Sequence, residues 1–225
     1  MKIVSWNCNG KFREKYKVIQ AFNADIYVIQ ECENPANFAN TEYFNFASNY
    51  IWRGNNKNRG LGVFAKTGVL LETLNWKTYC LKYFVPVKVN GKFDLLAVWA
   101  CRPYIEEYYI YQNINISKYG ENLIIIGDFN SNKIWDKEHG IRNHLAVVSE
   151  LKAINLESAY HYAYGEKQGE ETRDTFYMYR NIEKGYHIDH CFVNYKMIKH
   201  YEVASGKEQW VKHSDHVPII LETLK

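Results

Sequence analysis

Apolar positions along this chain change period, and each change marks an element. Residues 2–6 read as a short strand that ends in a polar Asn7-Cys8-Asn9-Gly10 turn. Phe12, Tyr16, Ile19 and Phe22 then recur at helical spacing, which predicts an amphipathic helix over 11–23. Residues 25–30 follow as a buried apolar strand with Glu31 at its carboxyl end. Residues 61–65, 69–74, 83–89 and 93–99 are strand-like, with Asn90-Gly91 a strong hairpin turn, while 55–60 reads as a flexible surface loop. Helices are predicted over 106–118 and 142–154. The apolar strand 123–126 runs into Gly127-Asp128-Phe129-Asn130, and 187–193 and 217–221 are the last strands. Motif after motif falls at a strand end, where polar groups converge on a crevice while the strand stays buried.

No Pro/Ser-rich linker divides the 225 residues, so a single domain over 1–225 is expected, long enough for a well-buried core. The net charge of +3 permits a polyanionic partner without requiring one. Nineteen Tyr and six Trp suit the core and its edges, or a groove for bases. Five Cys with no CxxC pair argue against a disulfide framework and a structural zinc site. No apolar run approaches the roughly 20 residues of a membrane span, and the strand at 3–6 leaves no signal peptide, so a soluble, cytoplasmic protein is expected.

Phosphate-ester hydrolysis needs carboxylates for a hard cation, a carboxylate for water, donors for phosphate oxygens and a supported His. If strand geometry persists through Gly127-Asp128-Phe129-Asn130, Asp128 and Asn130 project the same way. Asp128 can hold or deprotonate water, and Asn130 can donate to a phosphate oxygen. The same residues also read as a plain turn. Glu31 offers the one carboxylate that Mg²⁺ requires, with Asn7 beside it. Alone, each is an ordinary strand-end or turn residue. In Ser214-Asp215-His216-Val217-Pro218, His216 can donate to a phosphoryl oxygen, best as a cation. Asp189, between Ile188 and an apolar run, looks semi-buried and needs a partner, so an Asp189–His216 pair satisfies both. Basic and aromatic residues interleave at Trp52-Arg53…Lys57…Arg59 and Lys207…Trp210…Lys212-His213. Such stretches track nucleic acid, with Trp210 a substrate contact, or are solvated loops.

In this order, Ser5-Trp6-Asn7-Cys8-Asn9-Gly10, Gln30-Glu31, Gly127-Asp128-Phe129-Asn130, Ile188-Asp189 and Ser214-Asp215-His216 resemble the endonuclease/exonuclease/phosphatase superfamily, the DNase I-like fold. The first two look most like the apurinic/apyrimidinic endonuclease branch. The resemblance runs from Ile3 to Leu221 and implies an α/β four-layer sandwich, two mixed β-sheets face to face with helices outside. It implies Glu31 as the main Mg²⁺ (or Mn²⁺) ligand, with Asn7 and Asp215 assisting. Asp128 then orients the attacking water, Asn130 holds a phosphate oxygen, and Asp189 with His216 polarises the scissile phosphate. Asn9 and Phe176, the latter in the aromatic segment Thr175-Phe176-Tyr177-Met178-Tyr179, are placed on the substrate. One departure stands out: the family sets a Tyr or His just after the central strand, near Cys101 here, which leaves Arg102 or Tyr104 to contact the phosphate. The Pro-Ala-Trp-Cys-Asp-Arg stretch of inositol polyphosphate 5-phosphatases is replaced by Gly185-Tyr186-His187-Ile188-Asp189-His190, which counts against that branch. The expectation is a metal-dependent phosphoesterase, a nuclease on DNA with no evident protein partner. The alternatives are a phosphatase or phosphodiesterase on a small molecule or lipid headgroup, and a non-catalytic nucleic-acid binder.

Overall fold

In a computed structural model that describes residues 1–38 and 41–224, alternation along apolar strands sorts side chains into three layers. The strands are β1 (Lys2–Asn7), β2 (Ile26–Cys32), β3 (Tyr50–Asn56), β4 (Arg59–Ala65), β5 (Leu71–Thr73), β6 (Phe84–Val89) and β7 (Phe93–Trp99). They continue as β8 (Leu123–Asp128), β9 (Glu157–Ser158), β10 (Phe176–Tyr177), β11 (Gly185–Tyr186), β12 (Asp189–Val193), β13 (Ile198–Val203) and β14 (Ile219–Thr223). One sheet has the order β13-β14-β1-β2-β4-β3 and the other β5-β6-β7-β8-β12-β9, with β10-β11 a small ribbon beside them. Both are mixed: β1 runs parallel to β2 and β7 to β8, and the other pairs are antiparallel.

Ile3, Ile26, Val28, Leu95, Ala97, Ile124, Ile126 and Val193 fill the space between the sheets. Their strand neighbours Val4, Tyr27 and Ile29 pack outward with Phe12, Tyr16 and Ile19 of the helix Phe12–Gln20. On the other side Leu96, Ile125 and Phe192 meet Tyr108 and Tyr111 of Ile105–Asn115 and Val147 and Leu151 of His144–Ala153. Central strands buried on both faces therefore read as continuous apolar runs. The result is the expected four-layer α/β sandwich. Among the described residues no helix is long and apolar enough to cross a membrane.

Several boundaries differ from expectation. The first helix stops at Gln20, and the second gives way to a 3₁₀ turn at Ile116–Lys118. The third starts at His144, where the Asn143 side chain accepts from Ala146 N at 2.9 Å and caps it. The helix Ala159–Tyr164 was not anticipated. Residues 55–60 are not a loose loop but the tip of the β3–β4 hairpin. Their Asn/Lys/Gly composition reads locally as loop, yet buried β4 needs an edge partner and β3 supplies it. Trp52 lies over Gly54 and Gly60, where an added Cβ would fall 2.2 and 2.4 Å from its ring. Its Nε1 donates to Cys32 O at 3.2 Å, and Arg53 donates to Phe84 O at 3.1 Å. These two residues of the basic-aromatic stretch are committed to holding the hairpin.

Candidate active site

The alternation that builds the core also places the site. Facing the opposite sheet are Ile3, Ser5 and Asn7 on β1, Ile26, Val28 and Gln30 on β2, Ile124, Ile126 and Asp128 on β8, and Val193, Cys191 and Asp189 on β12. Each row ends in a polar residue at the same edge of the sandwich. Register aligns them, since Asp128 lies opposite both Trp99 of β7 and Asp189 of β12. Gly127 makes the β7–β8 approach possible. Its φ is 153°, and a Cβ there would meet Val98 O at 1.9 Å.

The polar ends form one hydrogen-bonded chain. Asn7 Nδ2 donates to Asp128 Oδ2 at 2.9 Å and to Glu31 Oε1 at 3.3 Å. Its Oδ1 accepts from Asn9 N at 3.0 Å, and Asn9 Nδ2 donates to Asp215 Oδ1 at 2.7 Å. His216 Nδ1 pairs with Asp189 Oδ2 at 2.9 Å, which leaves Nε2 pointing at Asp128 Oδ2, 4.0 Å away. Asp189 is fully buried rather than semi-buried, with its backbone N held by the buried Thr175 hydroxyl at 3.0 Å. The Phe176 ring lies 4.9 Å from the His216 ring. Ser214 Oγ donates to Asn7 O at 2.7 Å and accepts from His216 N at 3.1 Å, tying the two ends of the chain together.

Burial and neighbouring charge set the protonation states. Burial, with Asp189 adding to it, pushes Asp128 up to about 7 against the pull of His216 and Asn7. Burial also works against the charged form of His216, but Asp189 and Asp128 outweigh it and raise the imidazole to about 10. His216 is thus a buried cation held by two carboxylates.

Two expectations need correction. Strand geometry does not persist past Asp128. Asn130 has φ 47° and turns back, its N donating to Asp128 Oδ1 at 2.8 Å and its Nδ2 to Asp128 Oδ2 at 3.0 Å and Ala100 O at 3.1 Å. Both amide hydrogens are spent, so in this state Asn130 orients Asp128. Trp210 does not face the site either. It is 8% exposed, stacks on Phe22 and packs edge-on against Trp6, whose Nε1 donates to His216 O at 3.0 Å. Arg102 is exposed and Tyr104 half-buried in the turn after β7, and the Tyr104 N–H bonds Cys101 O. Sequence reasoning missed two neighbours. Thr175 underlies Asp189, and Arg59 pairs with Glu31 at 2.6 Å. Arg59 was legible only as part of the basic-aromatic stretch Trp52-Arg53…Lys57…Arg59, which does not point to Glu31.

The donor set suits a hard divalent cation. Glu31, Asp128, Asp189 and Asp215 bring four carboxylates against the charges of His216 and Arg59, and the free ligand atoms are oxygens. Among the described residues the only group of three metal-ligating side chains within mutual reach is Asp128, Asp189 and His216, within 4.8 Å. Asp189 and His216 spend their facing atoms on each other, whereas Glu31 is engaged by Asn7 and Arg59 and Asp215 by Asn9.

A sequence model described as the Endonuclease/Exonuclease/phosphatase family matches residues 4–216. The chain belongs to this family. Among solved structures it is similar to the 3′ phosphatase NExo from Neisseria bound to a product DNA hairpin, at 17% identity over 100% of both chains with a TM-score of 0.73. It is also similar to an AP endonuclease from Archaeoglobus fulgidus, at 15% identity over 99% of both chains and the same TM-score of 0.73. The endonuclease domain of the telomere-specific retrotransposon TRAS1 follows at 17% identity over 98% of this chain and 96% of that one, with a TM-score of 0.67. At these identities the likeness speaks for the fold. No curated protein sequence matches.

Proposed function

We propose that residues 1–225 form one phosphoesterase domain that requires Mg²⁺ or Mn²⁺ and hydrolyses phosphodiester bonds in DNA. The observation that carries the reading is the chain Glu31–Asn7–Asp128 set beside the buried Asp189–His216 pair. Asp128, held by Asn7 and Asn130, accepts the proton of a water that attacks phosphorus in line. His216 donates from Nε2 to a phosphoryl oxygen, and Asp189 keeps it charged and correctly turned. Glu31, with Asn7 and Asp215, would hold the cation, which supplies further charge stabilisation at the phosphoryl oxygens. Asn9 and Phe176 border the place where the substrate would lie.

One observation favours a second reading, a small-molecule or lipid-headgroup phosphoester. Trp52, Arg53 and Trp210, candidates for tracking a polymer, are used inside the fold.

The test is hydrolysis by the purified protein with Mg²⁺ or Mn²⁺, on intact DNA, abasic-site duplex, RNA and a generic phosphodiester. EDTA-sensitive cleavage of DNA is expected, with Asp128→Asn lowering the rate about a thousandfold. Turnover of the generic diester alone would select the second reading, and turnover of none of them would refute both.

A further inference from the structure

The position just after β7 where the family sets a Tyr or His holds Cys101 here. Burial, reinforced by Glu107, Asp128 and Glu31, raises the Cys101 thiol to about 12, so it is a neutral and weak donor. A different element supplies a strong donor above Trp99, the last residue of β7. Arg59, at the start of β4, lies within electrostatic reach of Cys101, pairs through Nη2 with Glu31 Oε2 at 2.6 Å and sits 5.3 Å above the Trp99 ring. Trp99 is itself fixed by Tyr83, with ring centroids 4.4 Å apart. The Arg59 side chain is 57% exposed while Glu31 is 16% exposed, so the guanidinium covers the carboxylate from the solvent side. A guanidinium carries five donors, and the pair with Glu31 leaves the others free for a second anion.

We propose that Arg59 is a phosphate-binding residue of this site and that, without metal, it serves as the counter-ion of Glu31. With a divalent cation held at Glu31, Arg59 would be released from the pair and, kept close by Trp99, would turn its donors to a phosphate oxygen of the substrate. Arg59 therefore opposes metal binding and favours phosphate binding. This inference rests on the phosphoesterase reading above.

Opposite signs in two measurements test it. Mn²⁺ binding to metal-free protein is followed by electron paramagnetic resonance, and inorganic phosphate binding by calorimetry on the Mn²⁺-loaded protein. Arg59 sits at an exposed strand start, and circular dichroism checks that Arg59→Gln keeps the fold. Arg59→Gln is expected to bind Mn²⁺ about two- to fivefold more tightly, the scale of a partly exposed ion pair. Phosphate binding is expected to weaken about tenfold or more, as on losing a charge-assisted hydrogen bond, with kcat/KM on any phosphoester substrate falling likewise. Arg59→Lys should recover part of both. Unchanged or weaker Mn²⁺ binding by Arg59→Gln would overturn the counter-ion role. Phosphate affinity within twofold of wild type would overturn the phosphate role. Both readouts decide the inference even if no hydrolysis is found, which separates its failure from that of the activity.

Discussion

Asp189 and His190 are neighbours on β12, and their side chains enter opposite layers of the sandwich. On the Asp189 side lies His216, a buried imidazole raised to about 10. On the His190 side lie His144 and His187, with ring centroids 4.7 and 5.0 Å from His190, all three as buried as His216. There burial lowers His144 to about 4, lowers His187 and drives His190 well below its usual range. Equal burial has opposite outcomes because two carboxylates face His216 within 4.0 Å, whereas His190 meets a backbone carbonyl and other imidazoles. Ser131 O can only accept, so His190 must donate from Nε2 at 2.8 Å, and its buried Nδ1, which has no hydrogen-bond partner, stays unprotonated in the neutral ring. His144 Nδ1 meets Ser131 Oγ at 3.1 Å, and Asn132 Nδ2 donates to His187 O at 3.0 Å and to Glu171 at 3.0 Å. The neutral cluster therefore clamps the loop after Asp128 without setting a rival cation against Asp189. One side of β12 supplies charge and the other supplies rigidity.

Removing the acid should break this contrast most strongly. Asp189→Asn leaves His216 in the same cavity without its main partner, so the ring should become neutral like His144. We expect kcat to fall about a thousandfold or more in single-turnover hydrolysis, as when the carboxylate orienting a catalytic imidazole is lost.

Next in size is a packing test on the acid side. Trp210→Ala should cost about 3–5 kcal/mol in urea unfolding, the scale of an emptied aromatic site, because Trp210 supports Trp6 beneath His216. KM measured below the new unfolding midpoint should stay within about twofold of wild type. A large rise in KM would return Trp210 to the substrate.

Smaller, and confined to the neutral side, is the response to acid. Burial lowers the folded His144 ring to about 4 against an ordinary value of 6.5, so below pH 6.5 the unfolded chain binds the extra proton. Stability should fall as pH drops from about 6.5 to 4, by up to about 3 kcal/mol for this ring. His144→Gln, which keeps a polar partner for Ser131, should flatten that part of the urea-midpoint profile.

The chemistry was more legible in sequence than the supporting structure. Asn7, Glu31 and Asp128 were readable because each closes or follows an apolar run, and Asp189 and His216 because each precedes one; alternation fixes the layer of Asn7, Asp128 and Asp189, whereas Glu31 reaches Asn7 only through a β-bulge and a φ of 61°. Asn130 was half legible: its side was inferred from strand geometry, which its positive φ abandons. The pairing of Arg59 with Glu31 depends on a hairpin whose tip looks like loop. Trp210 lies among Lys207, Lys212 and His213, which looks like surface until Trp6 and Phe22 close over it. The cluster of His144, His187 and His190 follows no period, since only the pairing of β8 with β12 and the helix above them bring it together.

The most direct test is a titration of the histidine rings by nuclear magnetic resonance in the metal-free protein, with His216 assigned through His216→Gln. The account predicts that His216 stays protonated through pH 8 while His144 and His190 stay neutral down to about pH 5. A His216 ring that loses its proton below pH 6.5 would contradict it, because the site would then lack the cation that Asp189 and Asp128 are placed to hold.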